Sequence, residues 1–274
     1  MNALDKKIQS SIRLLKALDG LEPELAYSGG KDSDVILALA QMSGIKFHPI
    51  YKMTTIDPPG TLPHVISKGV EIHKPELSFF EVVSKHGMPN SNYRVCCSYL
   101  KEYKILDKAI LGIRKCESTK RKKRYKEFSQ CRVYKNKDRV EQFFPILNWS
   151  DDDIGTFVNH FGIQCAPLYY DEDGNFDVTR RLGCMCCPLR ADKGLAHFKR
   201  YPKFVKLWIR GGCQFIDNHK DSKTAKKYGN AYNRFFATVF CKSYQDYIYK
   251  TTGLFGNLNT KQWLEDYFKI DLTV

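Results

Sequence analysis

The sequence predicts an α/β protein built on a doubly wound, mainly parallel sheet, with a helical C-terminal extension. Three observations carry that prediction. Short apolar, strand-like runs alternate with amphipathic helical stretches from Glu24 to Phe161. The first strand runs through a glycine turn straight into a helix, at Ser28-Gly29-Gly30-Lys31-Asp32-Ser33. After about Leu189 the alternation stops, and the chain becomes helical, aromatic and basic.

The elements follow in order. Residues 1–21 read as a polar-faced helix with Ile8, Ile12, Leu15 and Leu18 on one side. Glu24–Tyr27 is a short strand. Asp34–Met42 is apolar and helical and stops at Ser43-Gly44. Lys46–Tyr51 is a second strand, broken by Asp57-Pro58-Pro59-Gly60, and Val70–His73 is a third. Leu77–His86 is a helix, Ile110–Ile113 a buried strand and Gln142–Ile146 another. Ser150 caps a helix whose first turn holds Asp151, Asp152 and Asp153, which suit its positive end; Gly162 ends it.

The 274 residues allow a large core, and 43% hydrophobic with 27% charged residues is an ordinary globular balance. No stretch approaches the roughly 20 apolar residues that cross a bilayer, so no membrane partner is expected. The first 21 residues hold no apolar core and no small-residue cleavage site, which predicts no secretion signal and a cytoplasmic location. The net charge of +14 favours polyanionic partners, nucleotides or nucleic acid. Residues Arg114 to Val140 carry twelve basic and three acidic residues, with Lys120-Arg121-Lys122-Lys123-Arg124 at the centre. Two readings stand for that window, a solvated loop or a contact to a phosphate backbone.

The Ser28–Ser33 string has a chemistry of its own. Glycines let the backbone turn sharply and approach a ligand, and a helix N-terminus presents free N–H groups that suit phosphate. Lys31 adds a point charge, Ser28 and Ser33 add hydroxyl donors, and Asp32 can hold Mg2+ or orient a hydroxyl. The G-x-x-x-x-G-K-[ST] spacing of a Walker A loop is absent.

Ten cysteines are many for a chain expected in a reducing compartment, so metal or redox chemistry explains the clustered ones better than disulfides. Cys96-Cys97 and the distant Cys184-x-x-Cys187 can converge on one centre, and four thiolates suit a [4Fe-4S] cluster or tetrahedral zinc. Cys186 supplies a third thiol in the second run, but Cys184 and Cys187 have the ordinary chelating step. Cys116, Cys131, Cys165, Cys213 and Cys241 stand alone and read mostly as buried small hydrophobes.

Five motifs taken in order resemble a known family. Ser28-Gly29-Gly30-Lys31-Asp32-Ser33 is similar to the pyrophosphatase loop of the adenine-nucleotide alpha-hydrolase superfamily. Thr54-Thr55-Ile56-Asp57 follows the second strand, Leu111-Gly112-Ile113-Arg114 precedes Glu117-Ser118, and Pro145-Ile146-Leu147-Asn148-Trp149-Ser150 opens a helix. Pro167-Leu168-Tyr169 and Arg181-Leu182-Gly183-Cys184-x-x-Cys187-Pro188 complete the set, which resembles the PAPS-reductase-like family over about Leu25 to Leu189. The resemblance implies a Rossmann-like nucleotide-binding domain at residues 1–189, with residues 190–274 a basic helical extension packed on it.

It also implies roles. ATP or a related adenine nucleotide is held through its phosphates by Ser28, Gly29, Gly30 and Ser33, with Lys31, Asp32 and Arg114 catalytic. Arg114 brings a guanidinium to the phosphate end, while Thr55, Asp57, Gly112, Glu117 and Ser118 line the nucleotide site. Cys96, Cys97, Cys184 and Cys187 are the metal ligands, iron–sulfur first and zinc second. Reductases of this kind use a cysteine near the C-terminus; residues Gly253 to Val274 contain none, and Cys241 has no matching neighbours. The expected activity is therefore cleavage of ATP to AMP and pyrophosphate ahead of sulfur transfer, resembling the ATP-pyrophosphatase subunits of DNA phosphorothioation systems and related short proteins of bacterial and phage genomes. Nucleic acid and a sulfur donor such as a cysteine desulfurase are the implied partners. The alternatives are a sulfonucleotide reductase drawing its thiol from elsewhere, and a module that binds nucleotide or nucleic acid without turnover.

Overall fold

The computed structural model describes residues 2–134, 139–253 and 256–273. Along the chain run α1 (Ala3–Lys16), β1 (Glu24–Tyr27), α2 (Lys31–Ser43), β2 (His48–Lys52), α3 (Thr61–Ser67), β3 (Glu71–His73), α4 (Phe79–His86) and α5 (Val95–Leu100). There follow β4 (Lys108–Ile110), α6 (Thr119–Arg124), β5 (Ser129–Val133), β6 (Arg139–Phe143) and α7 (Asp151–His160). The rest is helical apart from one small ribbon: α8 (Leu195–Arg200), α9 (Lys203–Asn218), α10 (Lys223–Tyr228), α11 (Ala231–Phe240), α12 (Tyr244–Thr251), the ribbon strands β7 (Thr252–Gly253) and β8 (Gly256–Asn257), and α13 (Thr260–Phe268).

Among the described residues the main sheet has the order β3-β2-β1-β4-β6-β5. All its pairings are parallel except β5 with β6. The mainly parallel, Rossmann-like class predicted from the alternation is therefore the observed one. The chain reverses strand order at β1, whose C-terminal end leads into α2, the place where such sheets take ligands. Helix starts follow their caps: Ser78 with Glu81 opens α4, and Ser150 with Asp153 opens α7, each as a reciprocal capping box.

Two elements depart from the sequence reading. The strand expected at Ile110–Ile113 lies at Lys108–Ile110, because the backbone turns away after one further ladder bond, Leu111 N–H to the Phe143 carbonyl at 2.9 Å. The basic window is structured where described, holding α6 and the antiparallel β5; its residues 135–138 lie outside the described residues.

The chain divides into two compact units, Met1–Met53 with Asp57–Lys74 and Glu102–Gly183, and Thr54–Ile56 with Pro75–Lys101 and Cys184–Val274. This differs from a boundary at residue 189. Helix α4 packs so closely on α9 that a Cβ on Gly211 would stand 3.0 Å from Val83, and one on Gly87 would stand 3.2 Å from Phe215. The segment 75–101 therefore belongs with the C-terminal helices. The first unit buries Leu15, Leu25, Ile36, Leu39, Ile110, Ile146 and Phe157 in its core. The second has its own core around Phe79, Val83, Phe198, Trp208, Phe235, Leu264 and Phe268. Among the described residues no helix is long and apolar enough to cross a membrane.

Candidate functional site

In the first unit, Ser28–Gly30 form the turn from β1 into α2. The Ser33 hydroxyl donates to the Gly30 carbonyl at 2.6 Å, and the Ser28 hydroxyl lies 3.3 Å from Ser33 Oγ, so the corner is braced internally. A cleft of about 250 Å³ opens beside it, lined by Ser28, Gly30, Lys31, Asp32, Ser33, Gly112, Glu117, Arg121, Tyr169 and Arg181. Lys31 is 3% exposed. Its ammonium lies 5.3 Å from the centre of the Tyr169 ring and donates to the Arg180 carbonyl at 3.2 Å. Burial lowers its pKa below the ordinary lysine value, opposed by the Asp32 carboxylate and reinforced by Arg114. A buried cation with few partners and a cleft in front of it is a receptor for an anion.

Arg114 does not stand in this cleft as a free guanidinium. It is 1% exposed; its Nε donates to Asp32 at 2.6 Å, its Nη2 to Asp151 at 2.8 Å and its Nη1 to the Cys116 sulfur at 3.0 Å. The geometry makes it a positioning residue that holds Asp32, in place of the phosphate-pairing role expected for it. The cationic wall is supplied instead by Arg121 and Arg181, which the sequence reading passed over. Arg121 is ion-paired with Glu117, and Arg181 donates to the Glu117 carbonyl at 3.3 Å. Their signal in the sequence was only a basic run and an arginine ahead of a C-x-x-C, and neither says which cation turns inward.

The other expected nucleotide residues divide. Gly112 lines the cleft, and a Cβ there would stand 3.1 Å from the Asp32 carbonyl oxygen. Gly112→Ala should therefore push the first turn of α2 away and weaken nucleotide affinity by about tenfold, measured by calorimetry at unchanged fold. Glu117 lines the cleft, while Ser118 caps α6 through the Arg121 amide at 3.1 Å. Asp57 is in the first unit but not among the cleft-lining residues. Thr55 belongs to the second unit, where its hydroxyl accepts the Phe79 amide at 2.8 Å and fixes the start of α4. Thr55 and Ser118 are thus committed to helix starts.

The second unit gathers the cysteines. Cys96, Cys97, Cys184, Cys186 and Cys187 line one small cavity of about 30 Å³, together with Thr54, Ile56, Phe79, Lys101 and Trp208. Cys97 is pulled down to about 6, first by a hydrogen bond from Cys96 and then, against burial, by the Arg94 guanidinium 3.5 Å away; the same bond pushes Cys96 up. Burial raises Cys187 and pushes Cys186 up to about 12. The donor set, four or five sulfurs on one otherwise apolar cavity, has the chemistry of a soft-metal site. Among the described residues, however, no group of three His, Cys, Asp or Glu side chains is arranged to hold a metal ion.

The loop carrying Cys184–Cys187 is tightly held. Cys186 is buried at φ +56°, and its amide donates to His197 Nδ1 at 3.0 Å. Burial, with Arg190 adding, keeps the His197 pKa below the usual histidine value, so Nδ1 remains an acceptor at neutral pH. The unfolded chain then takes up the proton first. The contribution of this bond is complete above about pH 6.5 and is lost as the pH falls through the lower native value. The melting temperature of the wild type should fall between pH 7 and pH 5 relative to that of His197→Asn, whose Oδ1 accepts without titrating.

The solitary cysteines are not uniformly core. Cys165 and Cys241 are buried and Cys213 half-buried, but Cys116 and Cys131 are exposed. Burial pushes Cys241 up to about 11.

Comparison with known proteins places this geometry. The family model for the phosphoadenosine phosphosulfate reductase domain matches residues 22–190. An uncharacterized protein of Methanocaldococcus jannaschii is 29% identical over 199 residues, 67% of this chain and 46% of its own length. A 37.8 kDa protein of Escherichia phage 186 is 27% identical over 59% of this chain and 54% of its own. The chain spans about half the length of the curated relatives it matches. Among solved structures, Candida glabrata FMN adenylyltransferase aligns at TM-score 0.44 and 13% identity, covering 61% of this chain and 58% of that one. The phosphoadenylyl-sulfate reductase of Candida auris, a phosphate complex, aligns at 0.43 and 17%, covering 67% and 96%. From the matched span, which takes in the whole Ser28–Ser33 corner and both cysteine pairs, the chain belongs to the phosphoadenosine phosphosulfate reductase domain family.

Proposed function

We propose that the protein is an ATP pyrophosphatase that activates a nucleic-acid substrate for sulfur transfer, as in DNA phosphorothioate modification. The observation that carries the reading is the buried Lys31, with Arg121 and Arg181, around a cleft at the N-terminus of α2. Three cations there match the charge of a triphosphate. Cleavage breaks the bond between the α-phosphorus and the bridging oxygen, and pyrophosphate leaves with that electron pair. Fixed positive charge at the leaving group stabilises the transition state more than the ground state. Mg2+ would be held by Asp32, whose second carboxylate oxygen lies 3.8 Å from Lys31 and is not taken by Arg114.

Helix α6 supports the nucleic-acid part of the reading. It presents Arg121 to the cleft and exposes Lys120, Lys122, Lys123 and Arg124. Such a row suits a phosphate backbone. A metal in the cysteine pocket, held by Cys96, Cys97, Cys184 and Cys187, would tie α5 to the 184–187 loop and offset the charge of their thiolates; the thiols must turn inward to take it. A sulfur-donor protein is the remaining partner of this scheme.

Cys241 argues against the reductase alternative. It is 3% exposed and its thiol is raised by burial, the opposite of what a nucleophilic thiolate needs. The test is anaerobic incubation with ATP and Mg2+, with and without DNA, following AMP and pyrophosphate. Lys31→Ala should lower the rate by about 10²- to 10³-fold, the usual cost of one charge-stabilising donor. Tight ATP binding by the wild type with no AMP formed under any of these conditions would replace this reading with a binding module.

A further inference from the structure

Trp208 is 1% exposed, lines the cysteine cavity, and its indole Nε1–H has no hydrogen-bond partner among the described residues. A buried indole N–H without an acceptor is uncommon, because its lost hydration goes uncompensated. The cavity wall names the available acceptors. Lys101 can only donate, and Thr54 Oγ1 already faces the Cys184 thiol at 3.6 Å. What remains on the side chains of that wall is sulfur.

We propose that the Trp208 indole N–H donates a hydrogen bond to a thiolate sulfur of this cavity when the cavity holds a metal. The inference rests on the reading of the cysteine pocket as a metal site. Neutral thiols accept weakly, which accounts for the unpartnered N–H in the protonated pocket. Burial favours the protonated form at Cys96, Cys186 and Cys187. Metal binding strips those protons and turns the sulfurs into strong acceptors. An N–H···S bond then withdraws charge from the thiolate, stabilises the metal-bound state and, for a redox-active group, favours its more reduced form. The donor comes from α9, beyond the span matched by the family model, so this contribution belongs to the C-terminal helices.

The rival acceptor is an aromatic face. Phe198 and Phe235 meet the Trp208 ring edge-to-face at 5.5 and 6.2 Å, and an N–H···π contact to either would satisfy the indole without any metal. The experiment separates the two. The full chain is purified without metal under anaerobic conditions and titrated with Co2+, read by thiolate-to-metal charge-transfer absorption, with Zn2+ competition for affinity. Trp208→Phe should weaken binding about tenfold, the lower end for loss of an outer-sphere hydrogen bond. Trp208 replaced by its benzothiophene isostere, which keeps the ring shape and lacks the N–H, should lose the same factor. Trp263→Phe, in the same core but away from the cavity, should bind like the wild type. Isostere binding within twofold of wild type overturns the proposal and assigns the N–H to a ring. Failure of the wild type itself to bind Co2+ overturns the metal reading and this inference with it, and shows in a different sample.

Discussion

Arg114→Ala should destabilise the first unit by about 3 kcal/mol, the lower end for removing one partner of a buried ion pair, because Asp151 is half exposed and screened. Asp32 would be left on the cleft wall with only Lys31, 3.8 Å away, to answer its charge. In equilibrium urea unfolding the midpoint should fall with unchanged slope. Arg114→Lys should recover little, since an ammonium cannot reach Asp32, Asp151 and Cys116 at once. The double variant Arg114→Ala with Asp32→Asn should be more stable than Arg114→Ala alone, because the uncompensated carboxylate is gone. Additive losses would mean that the pair is not what holds the cleft.

Gly194→Ala should cost a similar amount in the second unit. Gly194 sits at φ +81°, and a Cβ there would stand 2.6 Å from the Cys186 carbonyl carbon, with no flexible side chain to give way. Left-handed strain and the clash together amount to about 3 kcal/mol, on the order of 9 °C in Tm. The displaced Cys186 backbone would carry Cys184 and Cys187 with it, so metal uptake by the pocket should fall as well. A thermal scan and a Co2+ titration on the same sample read both. An unchanged Tm would mean that the loop has another conformation open to it.

The predicted and observed structures agree where local rules suffice. The capping boxes at Ser78 and Ser150 and the strand at Glu24–Tyr27 could be read from residue type and spacing. So could the glycine corner before α2, because two glycines between an apolar strand and an apolar helix leave few geometries. The cysteine pairs were legible as a donor set from composition alone. The strand expected at Ile110–Ile113 slipped because Gly112 leaves the sheet to approach Asp32, a contact 80 residues away in sequence that no window of residues reports.

The sequence by itself determined the parallel α/β class, the position of the anion-receiving corner and the identity of the thiols, because periodicity, caps and residue chemistry act over a few residues. Only the tertiary structure decided that Arg114 is bound to Asp32 and Asp151 while Arg121 and Arg181 face the cleft. It likewise decided that residues 75–101 join the C-terminal helices, which sets Cys96-Cys97 and Trp208 on the cavity of Cys184–Cys187. Those outcomes depend on which buried charges and side chains meet across many tens of residues. Packing and ion pairing between distant segments select them, and the local pattern is silent on that choice.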